Sequence, residues 1–287
     1  MRRPPFAAIV ISVLIAEIAV AQQPAFVVTS IKATQRVPEK KPIGTGSATN
    51  TGGVIEPPRG DRVMARGATT HTLVRYAFGD VGSNGHIVRP LEPGRLIGGP
   101  DWMNTAMFDI DARMDTPSRG PAERTVMMRH LLEERFGLRA HRETRELPVF
   151  ELVLAHPDHR LGPQLHELTT PCVPIVDTVA HEQVPCAVRT GPGRLTGHGV
   201  AMAAVATYLS PVVGRVVIDR TGLTGRFDVA LTFAPTPGAV FEAKAALPGD
   251  APSVFAALQE QLGLRLGAVR APVDVVVIDR VERPTAN

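Results

Sequence analysis

The pentapeptide VVIDR occurs twice, at Val216–Arg220 and unchanged at Val276–Arg280. The first copy runs through a Thr-Gly-Leu-Thr-Gly turn, Thr221–Gly225, into Phe227-Asp228-Val229. That tripeptide echoes Phe108-Asp109-Ile110, which lies 119 positions earlier. Further correspondences keep the same order along the chain. Arg194–Gly197 answers Arg62–Ala65, and Val200–Leu209 answers Ala68–Ala77, both at a shift of 132. LQEQLGLRL answers LLEERFGLRA at a shift of 126, which pairs Gly263 with Gly137, and Val273–Asp279 answers Val149–Ala155 at 124. The shift changes only between elements, as loop insertions in a duplicated unit would make it do. Self-similarity in a fixed order is the mark of a repeat architecture, so any fold must serve both halves.

Within each half the pattern reads strand–helix–strand–strand–helix–strand–strand. Ala122–Phe136 is the clearest helix, started by Pro121 and stopped by Gly137. Ala68–Phe78 and Pro252–Leu262 are further helices, and Leu138–Arg142 and Val149–Ala155 read as two strands around the polar link RETREL and Pro148. The expected fold class is α+β: two small modules whose helices cover mostly antiparallel sheets. The division is 22–59 for an N-terminal strand and flexible loop, 60–156 for the first repeat, 157–192 for a connector, and 193–287 for the second repeat. With one Trp, two Tyr and ten Phe in 287 residues, the core must be built from Val, Leu, Ile, Ala and Met.

Residues 1–21 read as a secretory signal. Arg2 and Arg3 precede the apolar run Phe6–Ala16, and Ala19-Val20-Ala21 is a small-residue cleavage site. The run is too short to span a bilayer, which needs about 20 apolar residues. Cleavage takes Lys+Arg from 31 to 29 and Asp+Glu from 28 to 27, leaving a mature charge of +2. No basic block remains, so nucleic acid is not an expected partner, and no later stretch is long and apolar enough to cross a membrane. The expected location is secreted or periplasmic. In that oxidising setting Cys172 and Cys186 are expected to form a disulfide within the connector. A metal site with His166 and His181 is the other reading, but the spacing of the two cysteines fits no zinc pattern. Neither a metal nor another cofactor is expected.

The stretches GGPDWMNTAMFDIDA, LLEERFGLRAHRETRELPVFELVLA, VVIDRTGLTGRFDVALTF, FAALQEQLGLRL and VVVIDRVERPTAN together resemble an uncharacterised family of soil-associated secreted bacterial proteins. That family is a domain of unknown function, sometimes appended to sensor-type membrane peptidases. The resemblance covers Phe26 to Asn287 and implies export; it carries no catalytic or binding residue. The helix followed by LGLRL and a paired strand is also similar to small modules at the N-termini of secretins and TonB-dependent receptors, which work by protein–protein contact.

Four sets of residues are candidates for function. The Thr221–Gly225 turn, with Arg220, Thr221, Thr224 and Arg226, could form an anion-binding nest, or simply a tight connection between strands. Asp109 and Asp228, at matched positions, would make a paired-carboxylate site if they met; strand alternation would place them outside and their neighbours in the core. His141 with Glu143 could act as a base, but no nucleophile partners it. His156 and His159 lie in a Pro-containing loop, Trp102 reads as a core residue, and Gly44–Ser47 lacks the strand–turn–helix context of a phosphate loop. The favoured reading is a non-enzymatic interaction module for an envelope protein or polymer. The alternative is an exported hydrolase with a non-standard His/carboxylate site.

Overall fold

A computed structural model describes residues 25–34, 53–56, 61–81, 88–115, 120–169, 172–174, 185–235 and 251–284. The signal segment 1–21, the Gly44–Ser47 turn and His181 lie outside these residues. The first half runs β1 (Phe26–Thr34), β2 (Val54–Ile55), β3 (Arg62–Thr69), α1 (Thr70–Ala77), β4 (Asp80–Val81), β5 (Val88–Arg89), β6 (Leu96–Gly98), α2 (Trp102–Thr105), β7 (Met107–Met114), α3 (Pro121–Phe136) and β8 (Arg139–Leu154). The second runs β9 (Leu165–Glu167), β10 (Val173–Pro174), β11 (Pro185–Gly191), β12 (Arg194–Val200), α4 (Met202–Val213), β13 (Val217–Asp219), β14 (Phe227–Thr232), α5 (Val254–Ala257) with a π turn over Leu258–Leu262, and β15 (Leu264–Arg280). The fold is α+β, and most strand pairs are antiparallel.

In the first half, β7 lies between β1 and β3, with β2 outside β3. Phe108, Ile110, Ala112 and Met114 alternate inward and are buried, as a strand with one wet face requires. They pack beneath α1 and α3, where Leu73, Val74, Met128, Leu132 and Phe136 close the core. Phe108 meets Phe136 edge to face at 5.4 Å. α3 begins at Pro121, which needs no N–H partner there, and ends on Gly137 in the left-handed region at φ 57°.

The second half also places helices over a mostly antiparallel sheet. β14 lies between β9 and β12, with β11 outside β12. Phe227, Val229 and Leu231 face inward under α4 and α5, against Val205, Leu209, Leu258 and Leu262. α4 and the π turn end on Gly214 and Gly263, both at positive φ. Strands β9 and β11 therefore flank the second sheet within a stretch that reads as loop-rich in the sequence; two short strands around Pro, Gly and Cys leave little periodicity to detect.

A third sheet, in the order β13-β8-β15-β6, joins the halves. Here the structure differs from the expectation of two strands around RETREL and Pro148. β8 is one strand of 16 residues, paired along its length with the 17-residue β15. The reason lies in which edge the prolines occupy. Phe150 turns its N–H away from β15 and donates to Val216 O at 2.9 Å. Pro148, two residues earlier, therefore directs its missing N–H to the same outer edge and costs the ladder nothing. Pro272 pairs with Glu146, which has the same parity. The short strands are exchanged: β13 of the second half runs parallel to β8, and β6 of the first half parallel to β15. The two VVIDR segments share this sheet with β8 between them. Among the described residues, no helix is long and apolar enough to cross a membrane.

Candidate functional site

The outer faces of the two flanking sheets carry the same local device. On β3 the pairing with β7 is interrupted between Ala65 and Ala68, leaving Arg66 and Gly67 as a bulge. On β12 the pairing with β14 is interrupted between Gly197 and Val200, leaving His198 and Gly199. Both glycines lie in the left-handed region, at φ 55° and 60°, which a glycine adopts without the cost of a Cβ. Each bulge is pinned from the facing strand. Gly67 N–H donates to Asp109 Oδ1 at 2.8 Å, and Gly199 N–H donates to Asp228 Oδ1 at 3.1 Å. A bulge bends its strand and re-aims a side chain; here it sets Arg66 and His198 at matched places.

The two aspartates therefore do not form the paired-carboxylate site considered above. They sit in different sheets, each engaged by a backbone amide, and strand alternation places them outward. Their cross-strand neighbours also correspond. Lys32 on β1 pairs with Asp109, and His166 on β9 pairs with Asp228. Lys32, Arg66, Asp109 and Asp111, together with Ser30 and Met64, line a shallow open depression on the first face. On the second, His198 Nδ1 lies 2.8 Å from Asp228 Oδ1, the oxygen that also accepts from Gly199.

The second bulge is further tied down. Cys172 and Cys186 form a disulfide, which settles the alternative of a metal site for these two residues. Cys172 Sγ packs against Gly199, where an added Cβ would stand only 2.0 Å from the sulfur. Arg226 Nη1 donates to Gly199 O at 3.0 Å. Among the described residues, no group of three or more His, Cys, Asp or Glu side chains is placed to hold a metal.

Arg226 links the bulge to the Thr221–Gly225 turn. Thr221 is buried, and both its N–H and its hydroxyl donate to Asp219 Oδ1, at 3.0 and 2.8 Å. Leu223 N–H in turn donates to Thr221 Oγ1 at 3.1 Å. These amides, which an anion-binding nest would present, are engaged by the turn's own side chains. Arg220 lies 3.7 Å from Glu151 and is mostly exposed, and Thr224 is exposed. Of the four residues, Arg226 is the one that reaches the bulge.

His141 stands apart, on β8 of the third sheet. Its Nδ1 is 2.9 Å from Asp279 Oδ2 and its Nε2 3.5 Å from Glu143 Oε2. The hydrogen bond to Asp279 raises the imidazole pKa, with Glu143 adding to the effect. Arg145 beside Glu143 holds that carboxyl below its ordinary range. Carboxylates at both ring nitrogens favour the charged imidazole over the neutral one. Trp102 is partly buried on the first core and carries Arg283 over its ring at 5.5 Å.

A separate carboxylate is enclosed where the halves meet. Glu92 accepts from Ser210 Oγ of α4 at 3.2 Å and lies 3.4 Å from Arg95 Nε. Burial raises its pKa, against the opposing pull of Arg95 and Ser210. Nothing in its sequence surroundings, LEPGR, signals this. The pairing of His198 with Asp228, by contrast, has a sequence trace: His198-Gly199 stands at the +132 counterpart of Arg66-Gly67.

A family model described as a protein of unknown function, DUF3738, matches residues 89–281. No curated protein and no solved structure matches the chain.

Proposed function

The chain belongs to the DUF3738 family of proteins of unknown function, and from that premise we propose that it is an exported, non-enzymatic interaction module of the cell envelope. The observation that carries this reading is the twice-built bulge. Each flanking sheet spends a glycine at positive φ and an aspartate to fix one polar side chain on an outward face. We read the two halves as copies of one unit, so that the device was inherited in both and then diversified from Arg66 to His198. The disulfide supports an oxidising compartment. The resemblance to soil-associated secreted proteins, some appended to membrane peptidases, supports the envelope.

The test compares binding with turnover. Exported chain immobilised on a support should retain a component of envelope extract that free chain competes away. A panel of hydrolase substrates should show no turnover. Turnover abolished by His141→Ala in a folded variant would instead carry the hydrolase reading.

A further inference from the structure

The first and second flanking sheets can be compared position by position, and their outer faces differ in one systematic way. On the first face three arginines are paired with acids. Arg62 pairs with Asp111 at 2.8 Å, Arg66 with Glu56 at 2.6 Å, and Arg113 with Asp61 at 3.0 Å. On the second face Arg194 is the +132 counterpart of Arg62, while Ala230, the +119 counterpart of Asp111, carries no charge. Glu56 lies against Met64, to whose carbonyl its N–H donates. The counterpart of Met64 is Thr196, and the residue paired with Thr196 is Arg189. An acid on the first face is thus replaced by a base on the second.

Arg189 and Arg194 are both exposed, and among the described residues neither guanidinium has an acidic partner. Among the described residues the carboxylate on this face is Asp228, which accepts from Gly199 N–H and faces His198 Nδ1. Between the arginines and the two histidines the floor is made of short side chains, Thr196, Ala230 and Thr232. The large hydrophobic side chains that are exposed among the described residues, Val27 and Phe255, lie on other elements. A protein partner would want a buried aromatic or aliphatic anchor, and a membrane would want apolar groups to insert. A floor of short side chains rimmed by guanidiniums suits a linear chain of carboxylates, which arginine forks can engage in bidentate fashion.

We propose that the outer face of the β11–β12–β14–β9 sheet binds an acidic polysaccharide, with Arg189 and Arg194 as its carboxylate anchors and His198 and His166 at the far rim. This rests on the interaction reading above and names its partner class. The test uses the full exported chain and polygalacturonate as the probe, with neutral dextran as the control.

Saturable binding to polygalacturonate is expected, weakened by added salt, with none to dextran. Arg189→Glu/Arg194→Glu should lower affinity by about tenfold or more, since two charge-assisted contacts are lost. Arg189→Gln/Arg194→Gln should lose less. The charge-matched variant Arg139→Glu/Arg265→Glu, on β8 and β15 of the third sheet, should bind like the parent. An unchanged urea midpoint shows that each variant is folded. Equal binding by the Arg189/Arg194 variants, equal binding to dextran, or binding to phosphatidylglycerol vesicles without binding to polygalacturonate would overturn the proposal. If Arg189→Glu/Arg194→Glu still retains the envelope component that the parent retains, the partner class falls and the interaction reading stands. If the parent retains nothing from envelope, the reading itself falls.

Discussion

Gly67 and Gly199 occupy matched bulges with nearly the same backbone, at φ 55° and 60°, but their surroundings differ. A Cβ at Gly67 meets nothing within 4 Å; at Gly199 it stands 2.0 Å from Cys172 Sγ and 3.1 Å from Leu168 Cδ2. Replacing either glycine by alanine forces a β-carbon into the left-handed region at roughly 1–2 kcal/mol. Part of that is returned by the lower entropy of the unfolded chain, about 0.4–1 kcal/mol. Gly67→Ala should therefore cost about 1 kcal/mol. Gly199→Ala carries the same backbone cost plus an overpacking cost of about 1–3 kcal/mol, because a cross-linked sulfur cannot swing aside as a free side chain would. The two variants, measured by urea unfolding with unchanged m, should differ by that second amount. Repeating Gly199→Ala in a Cys172→Ala/Cys186→Ala background isolates the clash: the cost should fall towards that of Gly67→Ala, giving a coupling energy between glycine and disulfide. Gly199→Ala costing no more than Gly67→Ala, or the same with and without the sulfurs, would refute the packing argument.

The aspartate pins give a second expectation: Asp228→Ala should destabilise by about 1–3 kcal/mol, the cost of leaving the Gly199 amide without its acceptor, and Asp228→Asn by less, read from chemical unfolding. Glu92 gives a pH dependence. Burial raises its folded pKa, so the native state holds the proton more tightly than the unfolded chain. Stability from this group is then lost as pH rises from the unfolded value through the folded one. Glu92→Gln should raise the urea midpoint at neutral pH and leave it little changed in acid, whereas a parent midpoint at or above that of the variant at pH 7 would contradict the assignment. His141 is shifted the other way relative to its charge, its folded pKa raised chiefly by Asp279. Its contribution is present below the unfolded pKa and lost as pH rises through the folded one. An NMR titration should show the His141 midpoint move down in Asp279→Asn.

Much of each half was legible in the sequence because its signals are local. The alternation in Phe108–Met114 and Phe227–Thr232 marked β7 and β14, and Pro121 with Gly137 bracketed α3. The pairing of Cys172 with Cys186 followed from compartment rather than geometry. What the sequence concealed is non-local. Pro148 reads as a break between two strands, and only the knowledge that no neighbour occupies its edge makes it harmless, as it does Pro272 on β15. Alignment of the halves gives the order of β6 and β13 but not the exchange by which each pairs with the other half's long strand. The role of Asp109 and Asp228 depends on amides 42 and 29 residues away. No periodicity reports such a bond. The matched Arg66-Gly67 and His198-Gly199 dipeptides were its one visible trace.

The central claim is that this chain acts by binding at an outward face whose geometry the pinned bulge maintains. Its most direct test is an equilibrium titration of the labelled chain onto isolated cell envelopes, run beside Asp228→Ala. The account predicts saturation, competition by unlabelled chain, and a weaker affinity for Asp228→Ala under conditions where that variant remains folded. Binding that rises linearly without saturation, or that is identical for the folded variant, would contradict it.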